Sequence, residues 1–146
     1  LILNNYPTKS INNLSSPWDK KFFKIGGKKM NLNHIEHKIL RVKFNEPRIH
    51  FGIVCASFSC PKLHNKAFTG KNTQSLLASL TKGFVNDTKR NKITANKIQI
   101  SELFNWFKGD FTKKGSLIEF LNQYSNVKIN AKAKVSHLPY NWSLNE

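Results

Sequence analysis

The spacing of apolar residues changes several times along the chain, from the alternation typical of strands to the periodicity typical of helices. Apolar segments on both sides of Gly26 and Gly27 predict a β-hairpin, because glycine adopts the positive φ of a tight turn. Helical spacing predicts a helix over residues 73–86, and Ser116 followed by Glu119 predicts the start of another. The regular strand and crossover-helix alternation of a doubly wound sheet is missing. We therefore expect an α+β fold in which a small antiparallel sheet with a hairpin is packed by several helices.

Weaker patterns predict the elements around the two cysteines. Residues 51–54 suit a buried strand that ends at Cys55, and residues 34–42 suit a helix with Asn33 as its N-cap. Two more strands are predicted over residues 98–100 and 133–142, and Ser101 is predicted to cap a further helix. The first of these predictions places Cys55 where a strand ends, a place where side chains are commonly presented to substrates.

Length and composition predict one domain. A chain of 146 residues with 39% hydrophobic residues can bury a core. Leu1, Ile2 and Leu3 suit the last turn of an apolar helix that stops before Pro7 and has no start signal in front of it. We therefore expect a single domain over residues 1–146 that lacks its N-terminal helices, and we expect these three apolar side chains to be buried.

Positive charge dominates the composition: 24 lysines and arginines against 8 acidic residues give a formal net charge of +16. Such a charge is typical of proteins that bind nucleic acid or an anionic surface. However, only Arg41, Arg48 and Arg90 are arginines, and the lysines are scattered over the whole chain. Because arginine is the residue that contacts bases and phosphates bidentately, nucleic-acid binding is not favoured.

No segment of the sequence indicates a membrane span, a metal or a cofactor. The chain has no run of eighteen apolar residues and no secretory signal pattern. The spacing of Cys55 and Cys60 fits neither a zinc ribbon nor a redox C-x-x-C motif, and no further ligand completes a site with His34 and His37. The compartment and the oligomeric state stay open. A periplasmic or secreted location would apply if a signal peptide was removed with an N-terminal region.

Cys55 is the first candidate for chemistry. A thiol at a strand end, followed by a loop with free backbone N–H groups, has what a nucleophile with oxyanion donors requires. The opposite interpretation is a small core residue, and residue type alone favours it, since free cysteine is among the most buried residue types. Cys60 is the weaker candidate, because Pro61 stiffens its loop.

The predicted helix over residues 34–42 carries the candidate partners. On a helical wheel Glu36 falls within the apolar arc and His37 at its edge. A carboxylate on an apolar face is costly unless it is paired or hydrogen-bonded, so Glu36 is either structural, which the wheel favours, or part of a site. His50 lies on the opposite face of the predicted strand from Cys55 and is interpreted as a core or supporting histidine.

Four ordered motifs give the chain a family resemblance. They lie at residues 32–41, 48–57, 106–111 and 140–145. In these motifs, and so over nearly the whole chain, the sequence closely resembles the family known as domain of unknown function 547. The resemblance implies a papain-like cysteine hydrolase with a triad of cysteine, histidine and an acidic residue. By motif it assigns these roles to Cys55, His37 and Glu36.

The chain departs from the family pattern at two points. The family domain usually begins with a helix bearing a Trp-x-Asn-x-Tyr-Asn-like motif, and this chain starts just after the place of that helix. Cys60 stands where some relatives have serine, which makes it the weaker nucleophile.

The leading hypothesis is a cysteine hydrolase that resembles peptidases and acts on a peptide or protein substrate. Cys55 is the nucleophile, His37 the base, and Glu36 the group that orients the imidazole. Neighbouring helix residues point about 100° apart, so Asp110 or a main-chain carbonyl could orient His37 instead of Glu36. The secondary candidates are His50, Asp110 and Cys60. The alternative is a noncatalytic protein-interaction module with a basic surface, and a nucleic-acid-binding domain comes third.

Overall fold

Two small sheets and a set of short helices form the described part of the chain, residues 1–145, in a computed structural model. The first sheet is a hairpin of β1 (Phe23–Ile25) and β2 (Lys28–Met30), and the second contains β3 (Lys92–Ile93), β4 (Lys97–Ser101) and β5 (Lys134–Leu138) in that order. The α-helices are α1 (Arg41–Lys43), α2 (Thr73–Val85), α3 (Leu103–Trp106), α4 (Lys108–Phe111) and α5 (Leu117–Asn122). The predicted α+β class is confirmed. Within residues 1–145, no helix has the length and apolar character needed to cross a membrane.

The turn between β1 and β2 and the start of α5 form as the local sequence predicts. Gly26 and Gly27 take φ values of +54° and +78° in the turn between β1 and β2. At the start of α5, Ser116 Oγ accepts a hydrogen bond from the Glu119 N–H, and the Ser116 N–H donates to the Glu119 carboxylate at 2.6 Å. The glycine turn and the capping box each depend on residues that are close in sequence, so both can be predicted without knowledge of the tertiary structure.

The second sheet is mixed, whereas an antiparallel sheet was expected. β3 pairs antiparallel with β4, but β5 pairs parallel with β4. The chain between β4 and β5 passes through α3, α4 and α5, which is the long connection that a parallel pair requires. The strand predicted over residues 98–100 is confirmed, and the predicted tail strand is confirmed only as far as Leu138, just before Pro139.

Aromatic side chains fill the core between this sheet and the helices. Phe51 and Phe104 are fully buried, and with Phe84, Phe111 and Phe120 they form a cluster whose contacting ring centroids lie 5.0–6.5 Å apart. Such ring pairs add about 0.5–1.5 kcal/mol each beyond their buried area. The cluster fixes α3, α4 and the segment before Cys55 relative to one another.

Residues 51–54 do not form the predicted strand. Pro47–Phe51 is a 3-10 helix, and the Glu46 carboxylate accepts a backbone N–H of its first turn at 3.1 Å. Cys55 follows in an irregular loop. A short apolar run suits a buried helical turn as well as a buried strand, and here the cap and the proline of the first turn favour the helix. His50 and Cys55 therefore do not lie on opposite faces of a strand, contrary to the prediction.

The helix predicted over residues 34–42 exists but has π geometry in its first part. His34–Leu40 is a π-helix that continues into α1, and the Arg41 N–H donates to the Glu36 carbonyl, five residues back. A wheel drawn at 100° per residue does not apply to such a segment. Single π turns are frequent at functional sites.

This helix is capped two residues earlier than predicted. Asn31 Oδ1 accepts a hydrogen bond from the His34 N–H at 2.7 Å. Asn33, the predicted cap, instead donates from Nδ2 to Asp19 Oδ1 at 2.7 Å. The start of the helix is thereby fixed to the loop that precedes the hairpin.

The first residues form a 3-10 helix over Leu3–Asn5 rather than the last turn of an α-helix. Leu1 and Ile2 are half-buried, but Leu3 is 90% exposed. The expectation that all three are buried is wrong for Leu3, because successive side chains of a helical turn point in different directions.

Candidate functional site

Cys55 lies in a cleft of about 360 Å³ together with the side chains predicted to act with it. Glu36, His37 and His50 line the same cleft, and so does Cys60. Most of the remaining lining residues are apolar or aromatic. Asp110 is not part of the lining and lies behind it, in contact with His50.

The loop that carries Cys55 is held by the C-terminal tail. The Phe58 N–H donates to the Ser143 carbonyl at 2.7 Å, and the Asn145 N–H donates to the Ala56 carbonyl at 3.0 Å. Ala56, which follows Cys55, has φ +59°, a left-handed conformation that is costly for a residue with a Cβ atom. Tail and strained turn together fix the direction of the Cys55 side chain.

The Cys55 sulfur is surrounded by hydroxyl groups. It lies 3.1 Å from Ser57 Oγ and 3.5 Å from Tyr140 Oη, and Ser57 Oγ donates to Tyr140 Oη at 2.9 Å. Burial raises the pKa of Tyr140, so its phenol stays protonated and available as a donor. Because the single Ser57 hydroxyl proton is directed at Tyr140, the Tyr140 hydroxyl is the one placed to donate to a negatively charged sulfur.

The contact between Cys55 and Cys60 shifts the pKa values of the two thiols in opposite directions. Both cysteines are free, and the Cys55 N–H donates to Cys60 Sγ at 2.9 Å. Hydrogen bonding from the Cys60 thiol, with further bonds from Ser57 and Tyr140, outweighs burial and lowers the pKa of Cys55. The same bond and burial raise the pKa of Cys60. Cys55 is therefore the thiol that ionises first.

His37 is oriented by Arg41 rather than by Glu36. Arg41 Nη1 donates to His37 Nδ1 at 3.0 Å, and Arg41 Nε donates to Asp110 Oδ2 at 2.6 Å. Asp110 was one of the groups predicted to orient His37. It is linked to His37 through Arg41, which bonds to both side chains. Because Arg41 has no acceptor, His37 Nδ1 must be the acceptor, which leaves the proton of the neutral ring on Nε2.

Asp110 is the centre of a charged network behind the cleft. Its Oδ2 accepts hydrogen bonds from Arg41 and from His50, and Lys113 Nζ lies 3.5 Å from its Oδ1. Burial alone would raise the pKa of Asp110, but the bonds from Arg41 and His50 outweigh it and lower the pKa to about 2. Asp110 therefore stays ionised and acts as the anchor of this network.

His50 is buried, while its supporting role stays a prediction, and the strand on which that prediction relied does not form. It is 3% exposed, its Nε2 donates to Asp110 Oδ2 at 2.9 Å, and its ring stacks on Phe107 at 4.0 Å. Burial lowers the pKa of His50 to about 4, so the ring is neutral at pH 7.

In the described part of the chain, Glu36 lacks the partner that the favoured structural alternative required. Within residues 1–145 no hydrogen bond or ion pair reaches its carboxyl group, and Arg41 bonds to Asp110 and His37 instead. Burial raises the pKa of Glu36, and the nearby Cys55 thiolate adds to that effect. Both Glu36 and His37, which lie on the π-helix, line the cleft.

The model of a family of proteins of unknown function, DUF547, matches residues 1–85, more than half of the chain. The chain belongs to the DUF547 family. No curated protein and no solved structure gives a significant match. The matched part of this DUF547 domain contains Glu36, His37 and Cys55, whereas Asp110 and Tyr140 lie beyond it.

Sequence reasoning missed two residues beside the Cys55 sulfur, Ser57 and Tyr140. Ser57 is fully buried and bonded to the Tyr140 hydroxyl. Tyr140 belongs to one of the four motifs on which the predicted resemblance rested, although it lies outside the matched residues 1–85. Since 83 positions separate the two residues, nothing in local spacing indicates their contact.

The loop N–H groups expected as oxyanion donors are mostly engaged. The N–H groups of Phe58, Ser59 and Cys60 donate to carbonyl groups, and the Ser57 N–H bonds the Cys55 sulfur. Among residues 1–145 this leaves the Ala56 N–H as the loop donor without a partner. The expectation of several free loop donors is therefore wrong, and side-chain donors gain importance.

Neither a metal nor a cofactor was expected at this site. Within the described residues, no group of three or more His, Cys, Asp or Glu side chains is arranged to hold a metal ion.

Iodoacetamide is expected to label Cys55 and leave Cys60 unlabelled at neutral pH. Cys55 is half-buried with a lowered pKa, while Cys60 is 3% exposed with a raised pKa. Peptide mapping by mass spectrometry after brief labelling of the native domain measures the ratio, and labelling after unfolding in urea controls for intrinsic reactivity. Preferential labelling of Cys60 would contradict the assignment.

Proposed function

We propose that this DUF547 domain is a cysteine hydrolase of the peptidase type, with Cys55 as its nucleophile. The environment of the Cys55 sulfur carries the proposal: the hydroxyls of Ser57 and Tyr140 lie 3.1 Å and 3.5 Å from it, inside a cleft. The Tyr140 hydroxyl, which accepts from Ser57, donates to the sulfur and so stabilises the thiolate, the nucleophilic form of cysteine. A papain-like architecture, in which nucleophile and proton-transfer group meet in one cleft, is part of the proposal.

The role of His37 in this proposal follows from its tautomer. A ring that accepts from Arg41 at Nδ1 donates from Nε2 and has no lone pair there for a proton. His37 therefore acts as a base only after the contact with Arg41 breaks. In the arrangement at hand it serves, with the Tyr140 hydroxyl, as a hydrogen-bond donor to the oxyanion that forms when Cys55 attacks a carbonyl group.

Glu36 is the group that carries the proton. It lines the cleft, has no partner within residues 1–145, and has a raised pKa. In the first step the Cys55 thiolate attacks the carbonyl carbon, and the leaving amine or alcohol takes the Glu36 proton as the thioester forms. In the second step the Glu36 carboxylate takes a proton from water, whose oxygen attacks the thioester. The acid leaves and the Cys55 thiolate is restored.

The Glu36→Gln variant is expected to lower kcat/KM by about 10²-fold or more, because an amide cannot transfer the proton. The wild-type activity should fall as pH rises through the raised pKa of Glu36, and this dependence should vanish in the variant. A thermal melt controls for folding. An acid with a raised folded-state pKa adds stability below its unfolded pKa of about 4.3 and loses it as pH rises through the folded value. The variant should therefore melt no lower than the wild type at pH 7, and a lower melting temperature or an unchanged pH profile would contradict this role.

The proposed function is tested by trapping the thioester. We expect an N-acetyl amino-acid p-nitrophenyl ester to give a burst of nitrophenol and an acyl adduct on the peptide that contains Cys55. The Cys60→Ser variant, which places a hydroxyl donor where the Cys60 thiol stood, should still form the adduct. No adduct at Cys55, or an adduct on another residue only, would overturn the proposal.

A second candidate, the noncatalytic interaction module, is favoured by a different surface. Phe44 and Phe68 are 64% and 42% exposed and line a groove of about 470 Å³ that is separate from Cys55. Exposed apolar surface of this kind is common at protein contacts. The module interpretation predicts that Cys55 variants keep full biological activity whereas Phe44→Ala loses it.

A further inference from the structure

All three tryptophans of the chain line the cleft that contains Cys55. Trp106 stacks on Trp142 with ring centroids 5.7 Å apart and an angle of 23°, and Tyr140 packs against both at 4.8 Å and 4.7 Å. The three rings of Trp106, Tyr140 and Trp142 are called the aromatic wall below. Trp106 is 47% exposed, so the wall is not closed off within the domain.

The aromatic wall is directly connected to the nucleophile. The Tyr140 hydroxyl lies 3.5 Å from the Cys55 sulfur, while the Tyr140 ring is part of the wall. A group that packs on the wall therefore lies next to a carbonyl carbon placed at the sulfur. Leu32, Ile35 and Val54 add apolar surface to the same cleft.

The charge of the cleft differs from that of the chain. The sequence has 24 lysines and arginines, yet none of them lines the cleft. An anionic group bound on the wall would find no side-chain cation to pair with, and a cationic group would meet a domain with a net charge of +16. Glu36 is the carboxyl group in the lining, and its raised pKa reduces its value as a counter-ion.

We infer that the aromatic wall is a substrate subsite that takes an uncharged aromatic group on the acyl side of the bond attacked by Cys55. This inference rests on the proposed function and names its substrate class. Offset or edge-to-face stacking on Trp106 supplies the affinity. The lack of a lysine or arginine in the lining disfavours anionic groups, and the net charge of +16 disfavours cationic ones.

Binding to the wall is measured without any reaction. Because all three tryptophans line the cleft, intrinsic fluorescence reports ligands bound there. We expect 3-phenylpropan-1-ol to give a saturable change, and propan-1-ol, 3-phenylpropanoate and 3-phenylpropylammonium to bind at least about tenfold more weakly. Equal affinity for all four compounds, or no saturable change with the first, would overturn the inference.

Variants then place the ligand on the wall. Trp106→Ala should weaken binding of 3-phenylpropan-1-ol by about fivefold or more, and Trp106→Phe should recover most of the loss. Phe44→Ala, which removes an aromatic ring of similar exposure from another groove, is the matched control and should leave binding unchanged. Equal loss in the Phe44 and Trp106 variants would contradict the placement.

Hydrolysis separates the subsite from the proposed function. We expect the N-acetyl-phenylalanine p-nitrophenyl ester to exceed the alanine ester in kcat/KM by about tenfold, and Trp106→Ala to bring the ratio of the two kcat/KM values close to one. Selective binding without hydrolysis of either ester would overturn the proposed function alone. Hydrolysis with equal rates on both esters would overturn the subsite alone.

Discussion

Cys55→Ser is expected to lower the kcat/KM of ester and peptide hydrolysis by about 10³-fold or more. The serine hydroxyl stays protonated where the cysteine thiol ionises, and His37 Nδ1 cannot take its proton while Arg41 occupies that atom. The fold should be retained, since serine preserves the contacts with Ser57 and Tyr140. The measurement is the burst and steady-state rate with a p-nitrophenyl ester, together with a thermal melt.

The matched control for this variant is Cys60→Ser. It changes the same atom in the neighbouring thiol, which is buried and has a raised pKa. Its activity should fall far less than that of the Cys55 variant, because the nucleophile remains in place. Equal losses in the two variants, or full activity in Cys55→Ser, would contradict the assignment of the nucleophile.

Asp110→Asn is expected to destabilise the domain by about 3 kcal/mol at pH 7. The side chain is 13% exposed and holds Arg41 and the buried His50, so an amide leaves a partly buried guanidinium without its counter-ion. Urea unfolding of the variant and the wild type measures the difference. Asp19→Asn, on an exposed side chain, is the control and should stay within about 0.5 kcal/mol.

The same pair of proteins gives a pH signature. The folded-state pKa of Asp110 is lowered to about 2, below an unfolded value of about 3.9. The contribution of this carboxylate is therefore complete above about pH 4 and is lost as pH falls through about 2. The difference between wild type and variant should shrink over that window, and a difference that stays constant from pH 7 to pH 2 would contradict the network.

Sequence reasoning succeeded where the determinants are local. The glycine turn of the hairpin and the capping box at Ser116 each depend on residues within one turn, and both formed as predicted. Sequence reasoning failed at residues 51–54, because a short apolar run is compatible with either a strand or a helical turn. The Glu46 cap, which lies outside the run, favours the helical turn. Sequence reasoning also failed to foresee the π-helix, because periodicity alone assumes a regular helix.

The site was predictable in its residues and not in its contacts. Cys55, His37 and Glu36 could be chosen from residue type and family motifs, and they do share a cleft. Their partners come from distant parts of the chain: Tyr140 lies 85 positions from Cys55, and Asp110 lies 69 positions from Arg41. Such pairs are set by the tertiary fold, and a single sequence carries no spacing signal for them.

The pH dependence of Cys55 alkylation tests the central claim most directly. The claim is that Ser57, Tyr140 and Cys60 hold Cys55 as a thiolate at neutral pH. The second-order rate constant with iodoacetamide, followed at the Cys55 peptide from about pH 4 to pH 10, should stay near its plateau from pH 8 down to about pH 6. Tyr140→Phe should move the midpoint towards higher pH. A wild-type midpoint near 8.5, the value of an ordinary free cysteine, would contradict the account.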